Sequence, residues 1–378
     1  MTAQSTSRTG LAPTGTESLA RTGGFEVRPI TRVRRTARPH KVLRGALILF
    51  AASVPLDAIP LVGNLGVARL FGIVLALAAM TQPTLTFRRP VLAFWMFAAY
   101  LGIALVSAMP YLDWYGASIA QRGLTLVQNL MMFWIVSNLM RDEELSGKAL
   151  TVMAFVGAAI SVMMALGFMQ TTIQTARGMR VSFAGANPNF VGGVLSLCLL
   201  AVLGLLLTAR MTGRTWRWLA PAVAIPILGA LVKTGSRGAL GGLFAGLLVL
   251  AMSGERVSRR VRNVSLMLAA GATAYFAVYI TSITKARWGE ALQERQVSGR
   301  ERIYPELISM LRDRPLQGWG FEAHRRELGR RVPNLSQGVL DAHNLYLHVL
   351  TEVGILGSIP FWIALGLCVL GAYRARST

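Results

Sequence analysis

The sequences PLQGWGF (residues 315–321), DAHNLYLHVL (341–350) and TEVGILG (351–357) mark the place where a charged segment runs into a long apolar one. His343 and Asn344 stand at the edge of that apolar run, and the charged segment leading into it begins near Lys285. Glu352 follows inside the run, at a depth where carboxylates are costly in a membrane. The stretch therefore predicts a polar site at a membrane face.

The composition of the whole chain favours a membrane protein. Of its 378 residues, 53% are hydrophobic and 15% are charged, whereas soluble domains carry about 25% charged residues. The net charge of +22 could indicate nucleic-acid binding. No basic and aromatic soluble module is visible, however, and membrane proteins collect Lys and Arg in cytoplasmic loops. We therefore predict membrane lipids as partners and no nucleic acid. Cys198 and Cys368 lie in apolar runs and are expected to be free thiols.

The apolar runs predict an all-α, polytopic integral membrane protein with about ten transmembrane helices. Their residue ranges are 46–60, 65–80, 91–109, 124–140, 149–169, 190–209, 218–232, 239–252, 264–283 and 346–373.

These runs divide the chain into four predicted parts. Residues 1–41 form a disordered basic cytoplasmic tail, and residues 42–284 carry helices one to nine. Residues 285–345 form a large, partly helical outer loop, and residues 346–378 form the last helix with a short cytoplasmic tail. The basic residues just before the first run place its start in the cytoplasm, because Lys and Arg collect on that side. An even number of crossings then puts the long loop outside.

Arginines that this scheme places outside are candidate anion ligands. Arg237 sits in the tight turn TGSRG (234–238), and Arg180 precedes the sequence AGANPN, which holds Asn187 and Asn189. A cation at a membrane edge is costly unless it is paired or solvated, and the planar guanidinium group of Arg binds two phosphate oxygens at once. The alternative is that each arginine merely anchors a helix end. Arg69, Arg122 and Arg177 fit that structural role better.

The outer loop has its own helical pattern. Ile303, Leu307, Met310 and Leu311 recur at helical spacing, so we predict an amphipathic helix that lies on the outer membrane surface. Arg300 begins this helix, at a terminus that already favours anions. A simple ion pair with a nearby glutamate is the alternative role for Arg300.

His343 is the candidate proton acceptor of the loop. A histidine has a pKa near neutrality and can take a proton from a hydroxyl group. A structural hydrogen-bonding role is the alternative. His348 lies more than a turn deeper, and His324 lies in an ordinary charged stretch, so both are weaker candidates.

The motifs TGSRG (234–238), SGR (298–300), PLQGWGF, His343-Asn344 and EVGILG (352–357) resemble, in order and spacing, the O-antigen ligase and O-antigen polymerase superfamily. These bacterial inner-membrane glycosyltransferases use polyprenyl-diphosphate-linked glycans. The resemblance covers residues 185–357. It implies a GT-C-like helical fold with its active site on the periplasmic face. Family members commonly have further helices after the histidine loop, whereas this chain has one long apolar run there.

The resemblance also implies the residues and partners of the reaction. His343, Arg300 and Arg237 match the catalytic positions, and Arg180, Asn187, Asn189, Asn344 and Glu352 are expected to bind substrate. The implied donor is an undecaprenyl-diphosphate-linked glycan. The implied acceptor is lipid A-core oligosaccharide for a ligase, or a second lipid-linked glycan for a polymerase. Direct attack predicts inversion. We expect no cofactor and no metal, because the outer face shows no Asp-x-Asp pair and no His/Cys cluster. A transporter and a non-catalytic scaffold remain less favoured alternatives.

Overall fold

A computed structural model describes residues 38–375, apart from residues 58, 63–64, 176–177, 208–213, 253–263, 266–270, 272–299 and 334–337. The predicted N-terminal tail, up to residue 37, lies outside the described residues. The same is true of nearly all of the predicted helix 264–283 and of the first part of the outer loop.

Helices dominate the described part of the chain. Their bounds are α1 Lys41–Ser53, α2 Val67–Ala79, α3 Pro83–Thr86, α4 Leu92–Ala108, α5 Leu112–Leu139, α6 Glu143–Ala165, α7 Pro188–Leu207, α8 Arg214–Thr234, α9 Arg237–Met252, α10 Arg300–Asp313, α11 Ala323–Arg331 and α12 Leu345–Ala375.

The described part is mostly helical, as predicted, but two short antiparallel hairpins interrupt the helices. The first pairs β1 (Pro60–Val62) with β2 (Leu65–Gly66), and the second pairs β3 (Gln170–Thr175) with β4 (Gly178–Phe183). The predicted helix 149–169 ends early, at Ala165, and Gly167 follows with a φ of 83°. The polar, β-branched sequence QTTIQT then favours a strand over a membrane helix. This second hairpin carries Arg180.

Nine of the ten predicted helices overlap helices in the structure, and the remaining one, 264–283, falls almost wholly on residues that are not described. In the described part, four stretches are long and apolar enough to cross a membrane: Leu92–Leu139, Glu143–Ala165, Pro188–Leu206 and Leu345–Arg374. Three shorter apolar helices accompany them, at Val67–Ala79, Trp218–Thr234 and Arg237–Leu250. The architecture is that of a polytopic membrane protein, and the count of ten crossings stays a prediction.

Two helix groups form the cores that hold the polar residues discussed below. In one, α6, α7, α8 and α9 bury a cluster of aliphatic side chains that includes Leu195, Ile227 and Leu231. In the other, α12 packs along α4, where Ala104, Ala108 and Val353 are buried together with Phe321 from the preceding loop. The small alanines allow the two helices to approach closely, as is usual for helix pairs in membranes.

The predicted amphipathic helix is present as α10, but protein covers its apolar side. Ile303, Leu307 and Met310 are buried against Leu328 and Val332 of the α11 segment. The amphipathic pattern therefore indicates packing against α11, and the prediction that this side rests on the membrane surface was wrong. Helix α10 also contacts α12, so the described part of the predicted outer loop is docked onto the last described helix.

Candidate functional site

The sequence PLQGWGF is hydrogen-bonded to a break in α12. At Gly354 the helix has a φ of 72° and a ψ of −179°, so the regular ladder of backbone bonds is interrupted. The N–H groups of Trp319 and Gly320 donate to the carbonyls of Thr351 and Glu352, each at 2.8 Å. The N–H of Ile355 donates to the carbonyl of Pro315, also at 2.8 Å. The loop thus satisfies backbone groups that the broken helix leaves without partners.

Only glycine fits at position 354, because the backbone angles are unusual and the Leu316 carbonyl lies very close. A φ near +72° with an extended ψ is accessible almost only to glycine. A Cβ atom at Gly354 would also collide with the carbonyl of Leu316. The motifs 315–321 and 351–357 therefore form one structural unit, in which the loop pairs with the break in α12.

Glu352 lies in the interior beside this break, with 1% of its surface exposed. Its Oε2 accepts a hydrogen bond of 2.6 Å from the hydroxyl of Tyr100 on α4. Its Oε1 is buried and has no hydrogen-bond partner among the described residues. His324 Nδ1 and His348 Nε2 each lie 3.9 Å from a carboxylate oxygen of Glu352. The predicted substrate-binding role of Glu352 stays a prediction, and the structure surrounds it with protein groups.

His348 and His324 form a directed hydrogen-bond chain. Arg122 Nη2 lies 3.2 Å from His348 Nε2 and can only donate, so that nitrogen accepts. At the other end, the carbonyl of Gly320 lies 3.3 Å from His324 Nδ1 and can only accept. Between them, His348 Nδ1 lies 3.3 Å from His324 Nε2. The two fixed ends assign a proton to Nδ1 of each ring and leave both imidazoles neutral.

The pKa of His324 agrees with this assignment. Burial holds the pKa of His324 well below its ordinary value of 6.5, and the neighbouring His348 and Arg122 lower it further. The side chain is fully buried. His324 therefore stays neutral at physiological pH.

His324, His348 and Glu352 are close enough to suggest a metal site, since one ligand atom from each lies within 4.8 Å of the others. The histidine nitrogens of this group are not free to bind a cation. One nitrogen of each histidine carries a proton, and the other is engaged in the chain just described. The guanidinium group of Arg122 also lies against His348, where it would repel a metal ion. We derive no metal chemistry from this group.

A second set of charged residues joins Arg122 to the segment before α12. Arg122 Nη1 donates to Glu322 Oε1, and Arg325 Nη1 donates to Glu322 Oε2 at 3.1 Å. Arg325 Nε then donates to Asp341 Oδ1 at 2.7 Å. Charges alternate along the series, so each buried or half-buried group faces an opposite charge. We call Arg122, Glu322, Arg325 and Asp341 the ion chain.

His343 stands exposed at the end of the ion chain, directly before α12. Its backbone is left-handed, with a φ of 50°. Asn344 follows as the cap of the helix, because its Oδ1 accepts from the N–H groups of Tyr346 (2.9 Å) and Leu347 (3.2 Å). The structure thus presents His343 to solvent and gives Asn344 a structural role.

A separate group contains the predicted arginines of the earlier turns. Arg180 on β4 donates from Nε to the carbonyl of Thr234 (2.9 Å) and from Nη2 to Oδ1 of Asn189 (2.8 Å). Oδ1 of Asn187 accepts from the N–H of Asn189 at 2.8 Å, at the start of α7. Arg237 begins α9 three residues after Thr234 and is half-buried. The structure therefore brings Arg180, Asn187 and Asn189 to the turn that carries Arg237.

Arg300 occupies the first position of α10 and is half-buried. No described contact joins it to His343, to Glu352 or to the group around Arg180. Its predicted partnership with Arg237 and His343 stays a prediction.

A family model described as O-antigen ligase matches residues 222–362. The chain is also 29% identical to an O-antigen ligase of Pseudomonas aeruginosa over 313 residues, which cover 79% of this chain and 70% of that relative. Both similarities support the O-antigen ligase superfamily for this chain. The matched region of the superfamily model includes Arg237, Arg300 and His343 together with Asn344 and Glu352, whereas Arg180, Asn187 and Asn189 precede it.

The structure also brings together polar residues that the sequence did not identify or ranked below His343. The polar groups around α12 are the buried or half-buried Tyr100, Arg122, Glu322, His324, Arg325 and His348, together with the exposed Asp341. One sequence signal was available. His348 and Glu352 are ionisable residues inside an apolar run and Arg122 lies at the edge of another, and such residues are functional candidates by default. The acidic and basic residues of α11 gave no such signal, because they lie in a charged segment.

Proposed function

We propose that this protein transfers a glycan from undecaprenyl diphosphate to a hydroxyl of lipid A-core oligosaccharide, at the periplasmic face of the bacterial inner membrane. The observation that carries the proposal is the exposed, left-handed His343 at the start of α12, in a chain that is similar to an O-antigen ligase. The multi-pass architecture supports a lipid-linked donor, since both substrate and enzyme then share the membrane.

The proposed reaction is a single displacement. The acceptor hydroxyl oxygen attacks the anomeric carbon of the donor sugar and forms the new glycosidic bond. The bond from that carbon to the diphosphate oxygen breaks, and undecaprenyl diphosphate leaves with the electron pair. His343 takes the hydroxyl proton as general base. Attack opposite to the leaving group inverts the configuration at that carbon.

Charge develops on the leaving diphosphate, and arginines are proposed to stabilise it. Arg237 and Arg300 would contact the phosphate oxygens, and Arg180 would support the turn that carries Arg237. A guanidinium group offers two parallel donors to a phosphate, which is the function that a metal ion serves in other glycosyltransferases. The proposed mechanism therefore needs no metal.

The central experiment is transfer by the purified full chain with purified lipid-linked donor and acceptor. We expect His343→Ala to lower kcat by about 10²- to 10⁴-fold, the usual contribution of general acid–base catalysis. Unchanged transfer by His343→Ala would overturn the assignment of the base. Added chelator should leave transfer unchanged, and loss that a divalent ion restores would contradict the metal-free mechanism.

Arg237→Lys tests the bidentate phosphate contact. Lysine keeps the charge but presents a single point donor, so we expect transfer to fall by roughly tenfold or more. Arg330→Lys is the matched control, because the Arg330 side chain is 81% exposed and pairs with Glu327 on the same helix. Equal activity of the two variants would rule out a special role for the Arg237 guanidinium.

A polymerase with the same chemistry is the second candidate, and the similarity to a protein named O-antigen ligase favours the ligase. The two differ only in the acceptor. Gels of lipopolysaccharide from a deletion strain distinguish them. Loss of a ligase removes all capped lipopolysaccharide, whereas loss of a polymerase leaves caps of a single repeat.

A further inference from the structure

His343 is held in a backbone conformation that non-glycine residues rarely adopt. Its φ is 50°, and Glu322, within the ion chain, also has a positive φ of 66°. Such a conformation is strained and persists only where the surrounding structure over-determines it. Contacts on both sides of His343 hold its backbone in this left-handed conformation.

Contacts on the N-terminal side of His343 come from α11. The carbonyl of Arg325 accepts a hydrogen bond of 3.0 Å from the N–H of Leu340, while its side chain donates to Asp341 at 2.7 Å. The next residue, Ala342, is fully buried. Arg325 thus ties two successive residues of this segment, one through its backbone and one through its side chain.

Arg325 is itself fixed by the rest of the ion chain. Its Nη1 donates to both carboxylate oxygens of Glu322, at 3.1 and 3.3 Å, and Glu322 is 5% exposed. Glu322 also accepts from Arg122 on the membrane helix α5. Asp341 is therefore connected to the apolar helix α5 through Arg325, Glu322 and Arg122.

On the C-terminal side, the cap formed by Asn344 fixes the first turn of α12. His343 is left as a single exposed residue between two fixed points, the Asp341 carboxylate and the helix cap. The link between these fixed points is two residues long, Ala342 and His343, and Ala342 is buried, so the link has little freedom to change its backbone angles.

We propose that Asp341, through its ion pair with Arg325, is a positioning residue that holds His343 in its left-handed conformation for proton transfer. This inference rests on the proposed function, because it needs His343 to be the base. Asp341 acts through His343 and does not itself contact the substrate.

The ionisation of Asp341 supports this role. Partial burial raises the pKa of its carboxyl, but the hydrogen bond and the charge of Arg325 outweigh burial and hold the pKa below the ordinary 3.8. Asp341 is therefore a carboxylate throughout the physiological range, and the ion pair is present whenever His343 works.

A purely structural ion pair provides the matched control. Asp313 on α10 accepts from Arg331 on α11 at 2.7 Å, the same distance as the Asp341–Arg325 pair. The side-chain exposures also match, at 21% and 48% for Arg331 and Asp313 against 24% and 51% for Arg325 and Asp341. The two pairs thus differ mainly in whether the carboxylate adjoins His343.

The first experiment compares Asp341→Asn with Asp313→Asn in the transfer assay. We expect Asp341→Asn to lower kcat by roughly ten- to a hundredfold with little change in KM, since small displacements of a catalytic group are costly. Asp313→Asn should stay within about twofold of the unaltered protein. Equal kcat values for the two variants would overturn the proposal. Asp341→Glu, which keeps the charge, should recover part of the loss.

The second experiment combines Asp341→Asn with His343→Ala. If Asp341 acts through His343, the double variant is no slower than His343→Ala alone, because nothing remains to be positioned. A further loss in the double variant would show an independent role and contradict the inference. The outcome also separates the two proposals. Full activity of His343→Ala overturns the assignment of His343 as the base in the proposed function, whereas an inactive His343→Ala with a fully active Asp341→Asn overturns only the positioning role.

Discussion

At the scale of single residues, this protein uses neutral and charged polar groups in different ways around α12. His324 and His348 form a neutral chain whose direction is fixed by a guanidinium donor at one end and a carbonyl acceptor at the other. The ion chain from Arg122 to Asp341 is charged throughout. Arg122 on α5 takes part in both sets. It donates to His348 of α12 and to Glu322 of the segment before α12.

The neutral state of His324 predicts a pH-dependent stability. In the unfolded chain a histidine takes up a proton near pH 6.5, whereas folded His324 stays neutral to well below that value. Below pH 6.5 the unfolded state then binds more protons, and the folded state loses up to about 1.4 kcal/mol per pH unit. The groups that face His324 are His348, Arg122, Arg325 and Glu352, of which the arginines stay charged over this range.

Chemical denaturation of the solubilised protein between pH 7 and pH 5 measures this slope. We expect the unfolding midpoint to fall with pH and His324→Asn to show a smaller decrease, whatever its stability at pH 7. An identical slope in His324→Asn would show that this side chain does not titrate on unfolding.

At the scale of elements, the decisive feature is the break in α12 and the loop that docks onto it. The sequence showed two glycine-containing motifs, 315–321 and 351–357, without indicating that they meet. The break at Gly354 leaves backbone N–H and C=O groups of α12 without partners in the helix. Backbone groups of the loop form hydrogen bonds with them. This explains why the loop residues and Glu352 are placed together.

Gly354→Ala tests the importance of the break. Alanine cannot readily adopt the required angles, and its Cβ would meet the Leu316 carbonyl, so we expect a loss of roughly 1–3 kcal/mol in unfolding free energy. Gly371→Ala in the same helix is the control, since nothing lies within 4 Å of a Cβ there. Alanine favours a helix by up to about 1 kcal/mol over glycine, so that variant should be neutral or slightly more stable. Equal thermal stability of the two variants would contradict this account of the break.

At the scale of the whole molecule, the orientation in the membrane decides whether the site can meet its substrates. The basic loops between apolar runs predict a cytoplasmic N-terminus and an outer loop before α12. The α10–α11 segment, packed on α12, would then lie on the periplasmic side with His343.

Labelling of single cysteines tests this orientation in a background that replaces Cys198 and Cys368 by alanine. Gln317 lies in the loop that docks onto α12, and Arg141 lies between α5 and α6; both are exposed. A membrane-impermeant maleimide should label Gln317→Cys in intact spheroplasts and Arg141→Cys only after lysis. The reverse pattern would place His343 in the cytoplasm and exclude a periplasmic transfer site.

The amino-acid sequence by itself determined the class of protein and the positions of most helices, because apolar runs and helical periodicity are local properties of the chain. It also indicated His343 and the turn that carries Arg237 through their local motifs. The hairpin that carries Arg180 was missed, since a short polar strand next to a membrane helix has little local signal.

Only the tertiary structure decided which residues meet. Arg122 and Glu322 are 200 positions apart, and Tyr100 and Glu352 are 252 apart. Their pairing depends on how α4, α5 and α12 pack, and no local pattern encodes it. The same packing buries Glu352 beside two neutral histidines and ties Asp341 to a transmembrane helix. The physical reason is that burying a polar group is costly without a partner, so long-range packing and polar pairing are fixed together.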